Sequence, residues 1–377
     1  MAKLLFFTKM NFGIPASGGI KNKVFAQARA FEGLGLETDI LFFENSEVKI
    51  RGKNINITTN TTSKFEFLKY LYLGYLKKIK IEEYDYLYIR HFLTNPLFIL
   101  MLKRIKSRNK RIKIFMEIPT YPYRFEFAHM PFKKRLELKI DDFTTSFFKK
   151  YIDRIVTFSS KKEIFGVPTL RTDNGIDIEK FGLVSSAQFG GSQLHLLGLA
   201  NMQIWHGIDR LIMGLKQYYN SSQSLKVILH IVGRGDELEN LIRLSEDNNL
   251  TEYIKFHGFL SGDELNNMFA SCHLGIGSLG MHRINVAKGE TSALKSREYA
   301  SRGLPFVIAY EDRGFPVDFP FMLKLEANDN PIDINTLVEF YMEATKTNDF
   351  GIKMHEYAAN NLSWKSKLLP VVEAFKL

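Results

Sequence analysis

Lys288-Gly-Glu-Thr-Ser-Ala-Leu-Lys-Ser-Arg-Glu-Tyr-Ala-Ser-Arg-Gly-Leu-Pro305 runs directly into the apolar Phe306-Val-Ile-Ala309. The residue types dictate a shape. Thr291 or Ser292 can cap a helix, Arg302-Gly303 closes it, and Pro305 bars its continuation. Pro305–Ala309 then reads as a strand, so helix feeds strand. Glu290 stands just outside the helix N-terminus and Glu298 two turns inside, a separation of roughly 12 Å along a helix axis. Free N–H groups and the positive end of the dipole gather at that N-terminus, so a diphosphate lying across it would be held there. Glu290 and Glu298 would then receive hydroxyl groups on either side of the phosphates. Two solvated glutamates on a surface helix are the plain alternative.

Strand and helix alternate along the whole chain. Leu4–Phe7, Asp39–Phe43, Tyr86–Ile89, Ile112–Met116 and Arg154–Phe158 read as strands, and Ile20–Leu34 carries Val24, Ala28, Phe31 and Leu34 at helical spacing. The polar, Gly/Ser-rich Val184–Ser192 interrupts the pattern and reads as a linker. The pattern restarts with strands at Leu194–Leu199, Lys226–Val232, Tyr253–His257, His273–Ile276 and Pro305–Ala309. Helices are expected at 207–219, 236–248, 262–271, about 291–302, 333–345 and 351–360. Such alternation calls for an α/β fold of two parallel-sheet domains facing a cleft. The boundaries are 1–185 and 186–361, with a C-terminal segment, about 362–377, packing back on the first domain.

The chain has 377 residues and a net charge of +10, unevenly placed. Residues 1–185 hold 33 Lys+Arg against 19 Asp+Glu, whereas the remainder is acidic, so the first half is suited to an anionic partner. The densest basic region is 101–150, with 14 basic and 5 acidic residues. Cys272 is the only cysteine, which excludes an internal disulfide and any multi-cysteine zinc site and fits a reducing cytoplasm. The N-terminus is too short in apolar residues for a signal peptide, and no run approaches a membrane span. The basic, aromatic-rich stretches Lys64–Lys80 and Phe132–Lys139 suit the inner face of an acidic membrane. Solvated helix faces are the alternative. No nucleic-acid reader motif accompanies them.

Several segments, in order and spacing, are similar to the family-four retaining glycosyltransferases, which have the GT-B fold of two Rossmann-like domains. The resemblance covers most of residues 194–310. It rests on the Glu290/Glu298 stretch, Ile231-Val-Gly-Arg-Gly-Asp236, Ile254-Lys-Phe-His-Gly-Phe-Leu260 and Arg302-Gly-Leu-Pro-Phe-Val307. Weaker echoes are Gly18-Gly19-Ile20, Asp173-Asn-Gly-Ile-Asp-Ile-Glu-Lys-Phe181 and Leu362-Ser-Trp364. It implies a nucleotide-sugar donor, UDP- or GDP-linked, in the second domain and a glycan or lipid-linked acceptor in the first, as in capsule or O-antigen synthesis. Glu290 and His206 would be catalytic. Donor contacts would come from Gly19, Asn201, His206, Arg234, Leu260, Thr291, Ser292, Ala293, Leu294, Lys295 and Glu298. Arg90, Glu117 and Thr120 would meet the acceptor.

Three departures bear on mechanism. Thr291-Ser292-Ala293 replaces the family's usual Gly-Phe-Gly. Its diphosphate-gripping Arg and Lys fall here on Asn201, which brings no charge, and His206, cationic only below about pH 6.5 unless phosphate raises it. Arg234 or Lys295 would then supply positive charge. The histidine common in the family's first domain has no counterpart in Ile114–Tyr123. No Asp-x-Asp pair occurs, so a metal-independent mechanism without a cofactor is expected. Gly275-Ile-Gly-Ser-Leu-Gly280 matches a dinucleotide fingerprint but lies late in its unit and before a poor helix former. A nucleotide-sugar epimerase or dehydrogenase, or a non-enzymatic polyanion-binding protein, are the rival classes.

Overall fold

The computed structural model describes residues 1–14, 18–45, 47–52, 56–60, 68–119, 121–123, 132–184, 189–221, 225–284 and 291–377. They form two α/β units, Met1–Asp173 with Trp364–Leu377, and Asn174–Ser363. The first contains β1 (Ala2–Asn11), α1 (Gly18–Gly33), β2 (Leu36–Glu44), β3 (Glu47–Arg51), β4 (Asn56–Asn60), β5 (Tyr86–Arg90), α2 (Pro96–Arg108), β6 (Lys113–Ile118), α3 (Phe132–Thr145), α4 (Phe148–Tyr151), β7 (Arg154–Thr157), β8 (Glu163–Ile164) and β9 (Val167–Arg171). Its sheet runs β4-β3-β2-β1-β5-β6-β7-β9-β8. Leu4, Leu5, Phe6 and Phe7 of β1 are wholly inaccessible to water, as a central parallel strand covered on both faces requires. Leu4 pairs in register with Thr38 and with Tyr86 on either side. α2 starts where Asn95 accepts from Phe98 N at 3.2 Å with Pro96 in its first turn, and it buries Phe98, Met101, Leu102 and Ile105. The antiparallel β3 and β4 at one edge and the β8–β9 hairpin at the other interrupt the expected alternation.

The second unit contains β10 (Gln193–Leu199), α5 (Ile208–Tyr219), β11 (Lys226–Val232), α6 (Leu238–Asp247), β12 (Ile254–Gly258), α7 (Gly262–Ser271), β13 (Leu274–Ile276), α8 (Leu294–Arg302), β14 (Phe306–Ile308), β15 (Met322–Lys324), α9 (Ile334–Ala344) and α10 (Phe350–Tyr357). All six strands are parallel, in the order β12-β11-β10-β13-β14-β15. Chain order reverses between β10 and β13, and ligands of open α/β sheets bind outside the carboxyl ends of strands at such a point. The same logic puts the switch point of the first sheet between β1 and β5.

The last helix, α11 (Trp364–Lys376), belongs to the first unit. Its Phe375 ring stacks on Tyr86 at 4.3 Å and meets Phe115 at 4.5 Å, with Leu368, Val371 and Val372 buried beside it. The first unit ends at Asp173 rather than at 185, because the chain from Asn174 onward is tied into the second. Ile176 N donates to Leu362 O at 2.8 Å and Val184 N to Arg302 O at 3.1 Å. Among the described residues, no helix is long and apolar enough to cross a membrane.

A row of imidazoles crosses three neighbouring strands of the second sheet. His195 Nδ1 lies 2.9 Å from His230 Nε2, and His230 Nδ1 lies 2.9 Å from His257 Nε2, with stacked rings 5.1 Å apart. Each bond needs one protonated nitrogen, so the neutral row orders its protons in one direction. Burial lowers the pKa of all three. His230 is brought to about 4, by burial and then by its two neighbours and Lys255. A histidine whose folded pKa is depressed leaves the fold fully stable above the unfolded value near 6.5 and destabilises it as pH falls toward the folded value. The melting temperature is therefore expected to drop by several degrees between pH 6.5 and pH 4. His230→Leu should make that dependence shallower; an unchanged slope in a calorimetric pH series contradicts the assignment.

Candidate active site

Two sharp turns shape the carboxyl edge of the second sheet. Gly207 stands at φ +62° between a 3-10 turn, Ile204–His206, and α5, and a Cβ there would lie 2.6 Å from Gly280 N. Gly233, at φ +135°, passes so close to Ala200 that a Cβ would lie 1.8 Å from Ala200 O. Only glycine fits either position. Backbone hydrogen bonds then stitch the loops together. Met202 N donates to Arg234 O at 2.6 Å, Leu279 N to His206 O at 2.9 Å, and Gly280 N to Trp205 O at 3.1 Å. Asn201, His206, Arg234 and the loop after β13 thus share one edge.

α8 brings the remaining residues. It starts at Leu294 with Ala293 in the cap position and no side-chain cap, later than Thr291 or Ser292 would place it. The reason is that Ser292 is already engaged: its Oγ accepts from Asn174 N at 2.9 Å and its carbonyl from Asn174 Nδ2 at 2.6 Å. What fixes the first turn instead is Arg297, fully buried, whose Nη1 and Nη2 grip Asp312 at 2.5 and 2.8 Å while Nη1 also donates to Ala293 O at 3.0 Å. Further along, the Tyr299 hydroxyl donates to Leu197 O and Ile276 O at 3.1 and 3.0 Å, clamping the helix to both strands of the switch point.

The electrostatics of this edge differ from the sequence expectation. His206 Nδ1 accepts from Gln203 N at 3.1 Å, so its proton sits on Nε2. Burial, reinforced by Lys295, lowers its pKa to about 3, so the imidazole is a neutral donor rather than a cation. The mobile charge is on Lys295, whose pKa burial lowers to about 7; among the described residues no carboxylate pairs with it. Glu298 is raised by burial, partly offset by Arg302, whose Nε donates to Oε1 at 3.0 Å. Among the described residues, Glu298 Oε2 has no hydrogen-bond partner. Arg302 is itself held by Asn266 and the face of Phe269, 4.3 Å away. Arg234 and Leu294 are exposed, while Leu260 packs against the apolar cluster around Tyr299. Glu290 lies outside the described residues.

The first unit holds its own candidates. Gly19 is exposed in the first turn of α1. Thr120 lies outside the described residues. Glu117, expected to face an acceptor, is instead fully buried at the end of β6. It accepts from Lys23 at 2.9 Å, Arg90 at 3.1 Å, Gln27 at 2.9 Å and the Tyr88 hydroxyl at 3.2 Å. Burial pushes its carboxyl up, but Lys23 and Arg90 overcome that and hold it near 2. Glu117 is therefore the counter-ion that anchors Arg90, not an acceptor ligand. His91, next to Arg90 at the first switch point, packs on Tyr123 at 4.4 Å and has a buried Nε2 with no hydrogen-bond partner among the described residues. Arg90 and Glu117 are the members of this network that the sequence signals; Lys23 and Gln27, on α1, carry no such signal.

No cluster of three or more His, Cys, Asp or Glu side chains suited to a metal ion occurs among the described residues. The Gly275–Gly280 run is followed by a 3-10 turn, Met281–Arg283, and not by the helix a dinucleotide fingerprint needs.

No protein-family model matches the chain, and no curated protein matches it by sequence. Solved structures do match, along its full length. A glycosyltransferase from Rickettsia africae ESF-5 is similar at a TM-score of 0.62 and 12% identity, over 100% of this chain and 98% of that one. Sucrose-phosphate synthase from Thermosynechococcus elongatus gives 0.61 and 12%, over 100% and 98%. Anabaena Alr3699/HepE in complex with UDP-glucose gives 0.62 and 14%, over 100% of both chains. The chain has the GT-B fold. At these identities the likeness speaks for the fold alone.

The Arg297–Asp312 pair yields a direct test. Asp312→Ala leaves a buried guanidinium without its counter-ion and should cost about 3–5 kcal/mol in urea denaturation. Arg297→Met combined with Asp312→Leu should recover most of that loss; a double variant no better than the single one contradicts the assignment.

Proposed function

We propose that this chain is a retaining glycosyltransferase of the family-four type, moving a sugar from a nucleoside-diphosphate donor to a glycan or lipid-linked acceptor in surface-polysaccharide synthesis. The observation that carries the reading is Lys295 in the first turn of α8, half-buried and without a carboxylate partner among the described residues, beside His206 at the switch point of a GT-B unit. The α8 N–H groups, the Lys295 ammonium, the Asn201 amide and the His206 Nε2–H form a donor set that matches a diphosphate. Arg234 adds charge at the rim, and Glu298 Oε2 accepts ribose hydroxyls. Glu290 takes hydroxyls of the transferred sugar. On the acceptor side, Arg90, oriented by Glu117, binds an anionic group.

The chemistry needs little from the protein beyond charge placement. The acceptor hydroxyl oxygen bonds to the anomeric carbon on the face from which the C1–O bond to phosphate breaks, which retains configuration. Its proton passes to the departing phosphate oxygen, and the nucleoside diphosphate leaves. The α8 dipole and Lys295 favour this step by stabilising charge that grows on the leaving group. With Lys295 in that role and no Asp-x-Asp pair in the chain, the proposed reaction uses no metal ion.

Glu290→Gln should lower turnover on the order of a hundredfold, measured as acceptor-dependent release of nucleoside diphosphate with product anomers read by NMR. Near-normal turnover, an inverted product, or donor consumption without acceptor contradicts the reading. Lys295 offers an independent test. With a pKa of about 7 it is half neutral at pH 7, so a bound diphosphate should draw roughly half a proton onto it. Titration calorimetry of UDP and GDP in buffers of different ionisation enthalpy should show that uptake. Lys295→Met should abolish it and weaken binding roughly tenfold or more; uptake that persists in the variant refutes the role of Lys295.

A further inference from the structure

We propose that the outward face of α3, with the turn that follows it, docks this protein on an anionic lipid bilayer. The helix is built the wrong way round for water. Its inward face carries Asp141, Thr144 and Thr145, each buried. Asp141 Oδ1 accepts from Thr94 N and Thr94 Oγ1, both at 2.7 Å, and Oδ2 accepts from the Tyr123 hydroxyl at 2.5 Å. The Thr144 and Thr94 hydroxyls also bond at 2.7 Å. These bonds lock the rotation of the helix about its axis, because turning it over would strand a buried carboxylate. The apolar residues are therefore held outward. Leu136, Ile140, Phe143 and Phe147 follow one another at helical spacing and are 53, 37, 63 and 37% exposed. Phe143 and Phe147 meet edge to face at 5.4 Å, forming a single aromatic knob.

A stripe of this kind on a soluble protein signals an interaction, and its rim selects the partner. Arg135, Lys139, Lys149 and Lys150 are exposed around it, while Asp142 is the one exposed carboxylate among the described residues of α3 and α4. The adjoining helix α2 adds exposed Lys103 and Arg104. A second copy of the chain would set two cationic rims against each other, which is repulsive. Anionic headgroups complement that rim, and the acyl boundary beneath them accepts the Leu, Ile and Phe side chains. The inference concerns the first unit alone and holds whether or not the second unit transfers sugar.

The test uses the full chain and co-sedimentation with vesicles. The protein should sediment with phosphatidylcholine vesicles that contain phosphatidylglycerol, much less with pure phosphatidylcholine, and less again at high salt. Phe143→Ser with Phe147→Ser should lower the partition coefficient on the order of tenfold or more, at an unchanged melting temperature because both rings face water. Lys139→Gln, Lys149→Gln and Lys150→Gln combined should do the same without touching the apolar stripe. Three results overturn the proposal: no sedimentation with anionic vesicles, sedimentation of the aromatic variant equal to wild type, or a wild-type dimer that the aromatic variant dissolves. If the aromatic variant melts early, the lysine variant decides, and its unchanged binding overturns the proposal.

Discussion

Arg297 and Asp312 are sealed from water together, and the site in the second unit depends on that. A guanidinium and a carboxylate cannot share an apolar interior unless each lone pair and N–H is met. Ser296 Oγ and Gly314 N complete the carboxylate, and the carbonyls of Ala293 and Asn174 complete the guanidinium. These four partners come from the helix, from the strand-following loop and from the segment that opens the unit. The pair therefore fixes where α8 begins and which way its N-terminus points. Tyr299, two residues on, pins the same helix across β10 and β13. The N–H groups of Leu294 and Lys295, without a hydrogen-bond partner among the described residues, stand in the first turn of that helix. Orientation achieved before a ligand arrives is what makes fixed dipoles effective toward developing charge.

With the helix placed, the charge of the site follows from burial. The imidazole of His206 is too enclosed to ionise, and Lys295 is enclosed enough to be half neutral near pH 7. A lysine in that state is costly to charge until an anion comes beside it. The first unit solves the opposite problem. There, a carboxylate buried at the end of β6 is kept ionised by Lys23 and Arg90, and the outcome is a positioned arginine rather than an exposed acid.

Much of the fold could be read from the sequence because its signals are local. The alternation of strand and helix, the closing Arg302-Gly303 and the strands from Leu194 to Val232 depend on periodicity and end signals within a few residues. The site was less legible because it depends on partners far apart in the chain. Asp312 lies a whole strand away from Arg297, and nothing near Ser292 announces that Asn174, 118 residues earlier, takes its hydroxyl. Glu117 looked available because Lys23 and Gln27 come from a helix some ninety residues upstream. The stretch 132–139 drew notice for its lysines. Its inverted face could not be seen there, because Thr94 and Tyr123, which hold Asp141 inward, lie outside it. The glutamate pair was legible as a spacing, and Glu298 does sit on α8 with one oxygen on Arg302.

On the proposed function, a nucleoside diphosphate binds at the carboxyl edge of the second sheet, across the start of α8. Amide hydrogen exchange of the full chain with and without UDP, and with and without GDP, tests it without knowledge of the sugar or the acceptor. Slowed exchange is expected, concentrated in 200–207, 233–235 and 291–299. Slowed exchange confined to the first unit, or bound nucleotide with no change in those three segments, would contradict it.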